Sequence, residues 1–455
     1  DLASITAQHH NRVNPTGFAP WVLPLYMLNG VGRVAFGSYQ SPQFLNEEYA
    51  IPAVPTGKEA ALPAATERLH FHLFLPESPA PSGGYPVVIA PGSVGGTALK
   101  HATTYASTFA KHGLATIAVN CLGSGYGREG KIVVQDGTGN QYEFPFGGRA
   151  RDSNGDNVLL AIEGTANAPS ASAPVGFRDS NRQCALDLHQ LVRAIRAGMD
   201  VDGDGVADLD GERISFQGMC NAADPGVMLA AISPAVAAVV LEGPGGNVAN
   251  VSRWNKDASL LAAREPSLLN KGTTFDEDYV LRYRPVEIID VPGALAIQEF
   301  FERYEWLQQP GLPLAYAPHL RQSTLPGVPI KRVLLQFAKG DMVVPNPAET
   351  AMVRAANMAE TTSIYRHDLA EQLFPKLHPA GHYFSIPVAA IIPAVLGAYD
   401  PLGQYLIATL WQEQAAGFLA SGGTAIPNMN VWSKVWFGVE LFEVAPQVLP
   451  EELNR

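Results

Sequence analysis

The segment Gly218-Met219-Cys220-Asn221-Ala222 places a thiol between small residues, just after the strand-like run Ile214–Gln217. A strand that turns sharply into a helix holds the turn residue in a strained conformation. The positions two before and two after it must then be small, as Gly218 and Ala222 are. A helix expected over Pro225–Ile232 would aim its N-terminal amides at the reacting atom, favouring a thiolate and later an oxyanion. A nucleophile of this kind needs a base within reach and a third group that orients the base.

The order nucleophile, acid, histidine directs the search C-terminally. Asp341 follows the apolar strand Val333–Ala338 and precedes Val343-Val344-Pro345. A carboxylate at a strand end can orient an imidazole and stabilise its cation, although a loop aspartate in a turn reads the same way locally. Two histidines compete for the base. His382 precedes an aromatic pair and a helix start and is the expected base, whereas His378 precedes Pro379 on a loop. His189, His319 and His367 lack such context and read as ordinary surface or core residues. The oxyanion would take one hydrogen bond from the Asn221 amide. The second would come from Ser93, or failing that Val94, in Pro91-Gly92-Ser93-Val94-Gly95-Gly96, which could equally be a flexible glycine turn.

The elements that must position these residues follow an ordered layout. Leu69, Phe71, Leu73 and Leu75 alternate with Arg68, His70, His72 and Phe74, so a strand is expected with both histidines on a solvated face. Tyr85–Ala90 and Leu114–Asn120 are apolar runs separated by a helix-like stretch from Ala98 to Lys111, the pattern of a βαβ unit with parallel pairing. Residues 122–178 read as long surface loops, and Ser180–Ala197 as a helix with a broad apolar stripe. Ala235–Leu241, Arg332–Ala338 and Ser363–Arg366 are further strands, with a helix near Pro347–Asn357. The resulting division is an irregular N-terminal extension over 1–66 packed on the core, an α/β core over 67–243 and 328–420, an insertion over 244–327, and a tail over 421–455.

These features resemble the α/β-hydrolase superfamily, and within it a group of secreted bacterial lipase- or esterase-like hydrolases. The resemblance spans residues 67–455. It rests on the Asp-x-Asp-Gly-Asp-Gly stretch, the turn around Cys220, Phe337-Ala338-Lys339-Gly340-Asp341 with Val344-Pro345-Asn346-Pro347, and the late His-x-Phe. It implies a mostly parallel sheet flanked by helices, an inserted cap, and an ester hydrolase working through Cys220, His382 and Asp341. The family usually carries Gly-x-Ser-x-Gly, and this chain departs at Cys220 and Ala222. Three accounts of Cys220 stand open: a genuine thiol nucleophile as in the dienelactone-hydrolase branch, a replaced serine that leaves a weak or acyl-trapped enzyme, or an inert buried thiol.

Other features bound the function. Asp200, Asp202, Asp204 and Asp208, with the Val206 carbonyl, match the start of a calcium loop with Gly205 at the bend. The twelfth position is Gly211 rather than Glu, so Asp210 or Glu212 would have to substitute. The alternative is an acidic solvated turn, in which four neighbouring carboxylates lack a counter-ion. Catalysis needs no cofactor, and no redox, nucleotide or zinc motif is present. In the insertion, Trp254, Phe275, Phe300, Phe301, Tyr304, Trp306 and Leu307 would either line an apolar pocket or form the cap's own small core. The formal net charge of -12 argues against nucleic acid and anionic membranes as main partners. No apolar run reaches the roughly 18 residues of a membrane span. The Asp1 start reads as a processed form of a secreted or periplasmic protein. Cys121 and Cys184 are expected as two separate buried thiols, although one bridge is possible. The functions left standing are a hydrolase of small-molecule or lipid-like esters, an acyl transferase, and a ligand-binding protein on a hydrolase scaffold.

Overall fold

The structure is a computed structural model. It describes residues 2–11, 18–52, 62–92, 95–152, 155–160, 163, 173–254, 294–374, 376–377, 381–386 and 401–444. Its strands are β1 (Leu2–His10), β2 (Phe18–Val22), β3 (Val31–Gln43), β4 (Ala65–Pro76), β5 (Tyr85–Ile89), β6 (Ala115–Val119), β7 (Lys131–Asp136), β8 (Gln141–Pro145), β9 (Leu209–Met219), β10 (Val236–Glu242), β11 (Arg332–Ala338), β12 (Thr362–Tyr365) and β13 (Phe442–Val444). Nine of them form one sheet in the order β13-β12-β11-β10-β9-β5-β6-β4-β3. The run from β12 to β6 is parallel throughout, and β4 is antiparallel to both of its neighbours. This order and these directions are those of the α/β-hydrolase fold.

The central strands are apolar without alternation because helices cover both faces. Val87, Ile89, Ile214, Val239 and Leu335 pack against α2 (Ala173–Arg196), α3 (Ala223–Ile232) and α6 (Asn346–Ala356). Their neighbours Val88, Ala238, Val240 and Leu334 point the other way, onto α1 (Ala98–Lys111) and α7 (Pro401–Ala420). The insertion contributes α4 (Val248–Trp254) and α5 (Ala294–Gln308), and α8 (Asn430–Phe437) follows α7.

Five expectations are corrected. The described part of residues 1–66 is not irregular: β3 edges the main sheet, and β1 and β2 join β7 and β8 in a second, four-stranded sheet of order β2-β1-β7-β8. The stretch read as surface loop over 122–178 thus contains a paired hairpin. This small sheet covers a face of β4, so His72 is fully buried rather than solvated, between Phe36 and Phe146. Burial brings its pKa down to about 4, leaving a neutral ring. In the tail, β13 pairs antiparallel with β12. Finally, Cys121 and Cys184 are joined as a disulfide rather than separate thiols, because the turn after β6 brings its Cα within 5.4 Å of that of the α2 cysteine.

Candidate active site

Cys220 sits directly past the C-terminal end of β9, where the strand order reverses between β5 and β9. Its φ of +55° is a conformation a side-chain-bearing residue rarely adopts. The surrounding packing enforces it. A Cβ at Gly218 would meet the Ala222 carbonyl oxygen at 2.7 Å and the Phe216 ring at 2.8 Å. Gly226, one turn into α3, lies against the same ring, so β9 and α3 close on each other tightly enough to force the turn. Cys220 is the free cysteine of the chain and is part-exposed. Val343, Val344 and Ala348 pack beside it with Met342 and Val251, giving the thiol an apolar flank.

Asp341 follows β11 and is fully buried. Its Oδ1 accepts hydrogen bonds from the Val343 and Val344 amides at 2.8 and 2.9 Å. Its Oδ2 lies 2.7 Å from His382 Nδ1. The two amides fix the carboxylate, and the carboxylate fixes the imidazole with Nδ1 as donor and Nε2 on the far side. Burial alone would lower the His382 pKa, but the Asp341 charge, then the Cys220 charge and hydrogen bonds from both, carry it well above the ordinary value. The ring needs space that only glycine leaves: a Cβ at Gly243, after β10, would stand 3.1 Å from His382 Cε1.

The structure therefore brings Cys220, Asp341 and His382 together. Asn221 follows the nucleophile position as expected, and its side chain donates to Asp224 Oδ2 at 3.2 Å. Ser93, Val94 and His378 lie outside the described residues. Between β10 and β11, Phe301 is buried with Ala249 against Tyr304, a small core of its own, while Trp306 is 70% exposed. Phe275 and the side chains of Trp254 and Phe300 lie outside the described residues.

The acidic loop before β9 brings Asp200, Asp202 and Asp208 together, each offering an oxygen within 4.8 Å of the others. Asp204 instead accepts the Val206 amide at 2.7 Å. The loop also has a counter-ion that its own residues do not reveal. Arg33 of β3 reaches Asp202 at 2.6 Å and Asp208 at 4.0 Å. A second group, Asp152, Asp156 and Glu163, escapes the sequence reading. Its signal is the spacing, since these are the first, fifth and twelfth positions of a twelve-residue frame. Two buried carboxyls near Cys220 and His382 also go unread. Asp224 in the first turn of α3 and Glu242 at the end of β10 are pushed up to about 8 and about 7 by burial.

No protein-family model and no curated protein sequence matches the chain. Among solved structures it is similar to an esterase from Pyrobaculum calidifontis, at 12% identity over 88% of this chain and 90% of that one, with a TM-score of 0.41. A thermostable esterase from Pseudomonas putida has 12% identity over 88% and 85%, TM-score 0.39. Acetyl xylan esterase 1 from a Thermoanaerobacterium species has 15% identity over 75% and 91%, TM-score 0.36. These likenesses are distant, and the fold is read from the sheet order and strand directions above.

Proposed function

We propose that the chain is a carboxylic ester hydrolase in which Cys220 is the nucleophile, His382 the acid–base and Asp341 the group that orients it. The observation carrying this reading is the buried Asp341–His382 contact of 2.7 Å, beside the part-exposed thiol on its strained turn. The raised His382 pKa favours a charged imidazolium, which stabilises the thiolate that attacks. The thiolate attacks the ester carbonyl carbon, and negative charge collects on the carbonyl oxygen. The Asn221 amide accepts that charge as a hydrogen-bond donor, with Ser93 proposed as its partner. Collapse breaks the carbon–oxygen bond, and His382 Nε2 gives its proton to the departing alcohol. Water then attacks the thioester, losing a proton to His382, and the acid leaves as the thiolate–imidazolium pair re-forms. The apolar flank of Val343, Val344, Met342 and Val251 suits an ester with a hydrophobic part.

The test is hydrolysis of p-nitrophenyl esters by the wild type, Cys220→Ala and Cys220→Ser, with mass spectrometry for an acyl adduct. Turnover that falls by roughly a thousandfold or more in Cys220→Ala is expected. Cys220→Ser is expected to be slower than wild type, because a site poised as an ion pair does not deprotonate an alcohol equally well. A serine variant faster than a wild type stalled as its acyl adduct would instead identify a replaced serine. No turnover and no adduct in any form would favour a binding protein.

Two further elements belong to this reading. The Asp200–Asp208 loop is proposed as a structural calcium loop that stiffens the entry to β9. Export is also proposed, and the Cys121–Cys184 bridge supports it, since such bonds persist in oxidising compartments.

A further inference from the structure

Beneath the imidazole lies a polar network that the acyl-transfer steps do not use. Glu242 ends β10 with no exposed surface, one residue before the glycine that makes room for His382. Its Oε2 accepts the Tyr105 hydroxyl of α1 at 2.7 Å, and its Oε1 accepts Gln217 Nε2 of β9 at 3.2 Å. Gln217 Oε1 lies 3.1 Å from His101 Nε2. Burial brings the His101 pKa down to about 4, so its ring is neutral and donates from Nε2. Tyr105 Oη also lies 2.9 Å from Ser385 Oγ, three residues past His382 on the same short loop. Ser385 Oγ further reaches the sulfur of Met219, next to Cys220, at 3.5 Å. Glu242, Tyr105, Gln217 and Ser385 are all fully buried.

A buried carboxyl is costly unless its oxygens are engaged, and apolar side chains would fill this space more cheaply. What this one obtains is a chain of contacts running from the end of β10, through α1, to the loop that carries the base. The backbone of that loop is held from another side, by Gln412 Nε2 of α7 on the Ser385 carbonyl at 2.8 Å and Gln404 Nε2 on that of Ile386 at 3.3 Å. The Tyr105–Ser385 contact therefore sets the tilt of the loop toward β9.

We propose that Glu242 is a positioning residue: through the Tyr105 hydroxyl it latches Ser385, and so holds His382 at its working distance from Cys220. This rests on the Cys220–His382 reading above, and the test does not require ester turnover. Cys121 and Cys184 are bonded, which leaves Cys220 as the chain's one alkylatable thiol. Iodoacetamide alkylation of Cys220, followed against pH, reports the thiolate that His382 stabilises, with His382→Asn as the reference.

Wild-type alkylation is expected to be faster at pH 7 than that of His382→Asn, and its profile against pH to differ from that variant's, because the variant removes the imidazole that stabilises the thiolate. Tyr105→Phe keeps the buried ring and removes the link. It is expected to slow alkylation at pH 7 by about three- to tenfold, the range one net hydrogen bond supplies, and to bring the profile toward that of His382→Asn. Ser385→Ala is expected to do the same, and the double variant no more than the larger single effect, because both cut one serial link. Glu242→Gln retains an acceptor for Tyr105 and is expected to stay within about twofold of wild type on the same hydrogen-bond scale, whereas Glu242→Leu matches Tyr105→Phe. A wild-type profile distinct from that of His382→Asn that Tyr105→Phe and Ser385→Ala leave unchanged overturns the latch alone. So does a double variant whose effects multiply. An ordinary wild-type profile that His382→Asn does not move overturns the ion-pair reading on which the latch rests.

Discussion

Asp224 shows how a single buried carboxyl can report on the ground around a nucleophile. A carboxylate in the first turn of a helix is normally favoured by the helix dipole. Here burial outweighs that and pushes the group up to about 8, against the opposing hydrogen bonds of the Gly245 amide and the Asn221 side chain. Folding therefore takes up a proton between the unfolded carboxyl value near 4 and about 8. In that window the unfolded chain binds fewer protons, so this residue makes stability fall as pH rises, with no further loss above about 8. Asp224→Asn keeps the shape and removes the titration. Relative to wild type it should gain stability between pH 4.5 and pH 8, by roughly 1.4 kcal/mol for each pH unit crossed. Urea unfolding at the two pH values measures this, and parallel behaviour of the two proteins would show that the side chain ionises normally.

At the scale of elements, the proposed calcium loop from Asp200 to Asp208 would set two counter-ions in competition. Asp200 takes the Gly203 and Gly205 amides at 2.7 and 2.8 Å, which holds its carboxylate below the usual range. Asp202 is bonded to the Arg33 guanidinium of β3. A bound calcium ion would have to displace that guanidinium or share its partner. Arg33→Gln should therefore tighten calcium binding, and Asp200→Asn should weaken it by about tenfold or more, as loss of one anionic ligand implies. Calorimetric titration of calcium into both variants and the wild type measures this. The Asp152, Asp156 and Glu163 group remains intact in all three. Affinities unaltered by either substitution would assign Arg33 as the loop's permanent counter-ion.

Legibility follows the range of the interactions. Cys220, Asp341 and His382 can be read from sequence because each carries its context within a few residues: a small–x–thiol–x–small turn, an apolar strand end, an aromatic pair. Arg33 cannot, being 169 residues from Asp202. Tyr105 is likewise 137 residues from Glu242 and 280 from Ser385. The strands β1 and β2 are hidden for the same reason, since β1 finds its second partner only at β7, where Thr6 pairs with Val133.

For the whole molecule, the Cys121–Cys184 bond adds a covalent tie to the non-covalent ones. It joins the turn after β6 to α2 across a separation of 63 residues, and the hairpin of β7 and β8 lies inside the closed segment. A buried ion network spans the same ground. Arg149, also inside the segment, pairs with Asp187 of α2 at 2.8 Å and with Glu67 of β4 at 3.0 Å. The network acts only in the folded state. The covalent bond also restricts the unfolded chain, at about 4 kcal/mol for a loop of this size on the chain-entropy account. The double variant Cys121→Ala/Cys184→Ala should therefore lose about that much stability in urea unfolding. It should keep the Cys220 alkylation profile of the wild type, since neither sulfur touches the Asp341–His382 pair. Thiol counting supplies the control: the unreduced wild type should show one reactive thiol per denatured chain and the reduced protein three, the full cysteine count. Three thiols before reduction would mean the bridge is open. Unchanged stability with the bridge closed would mean that residual structure already confines this segment in the unfolded chain.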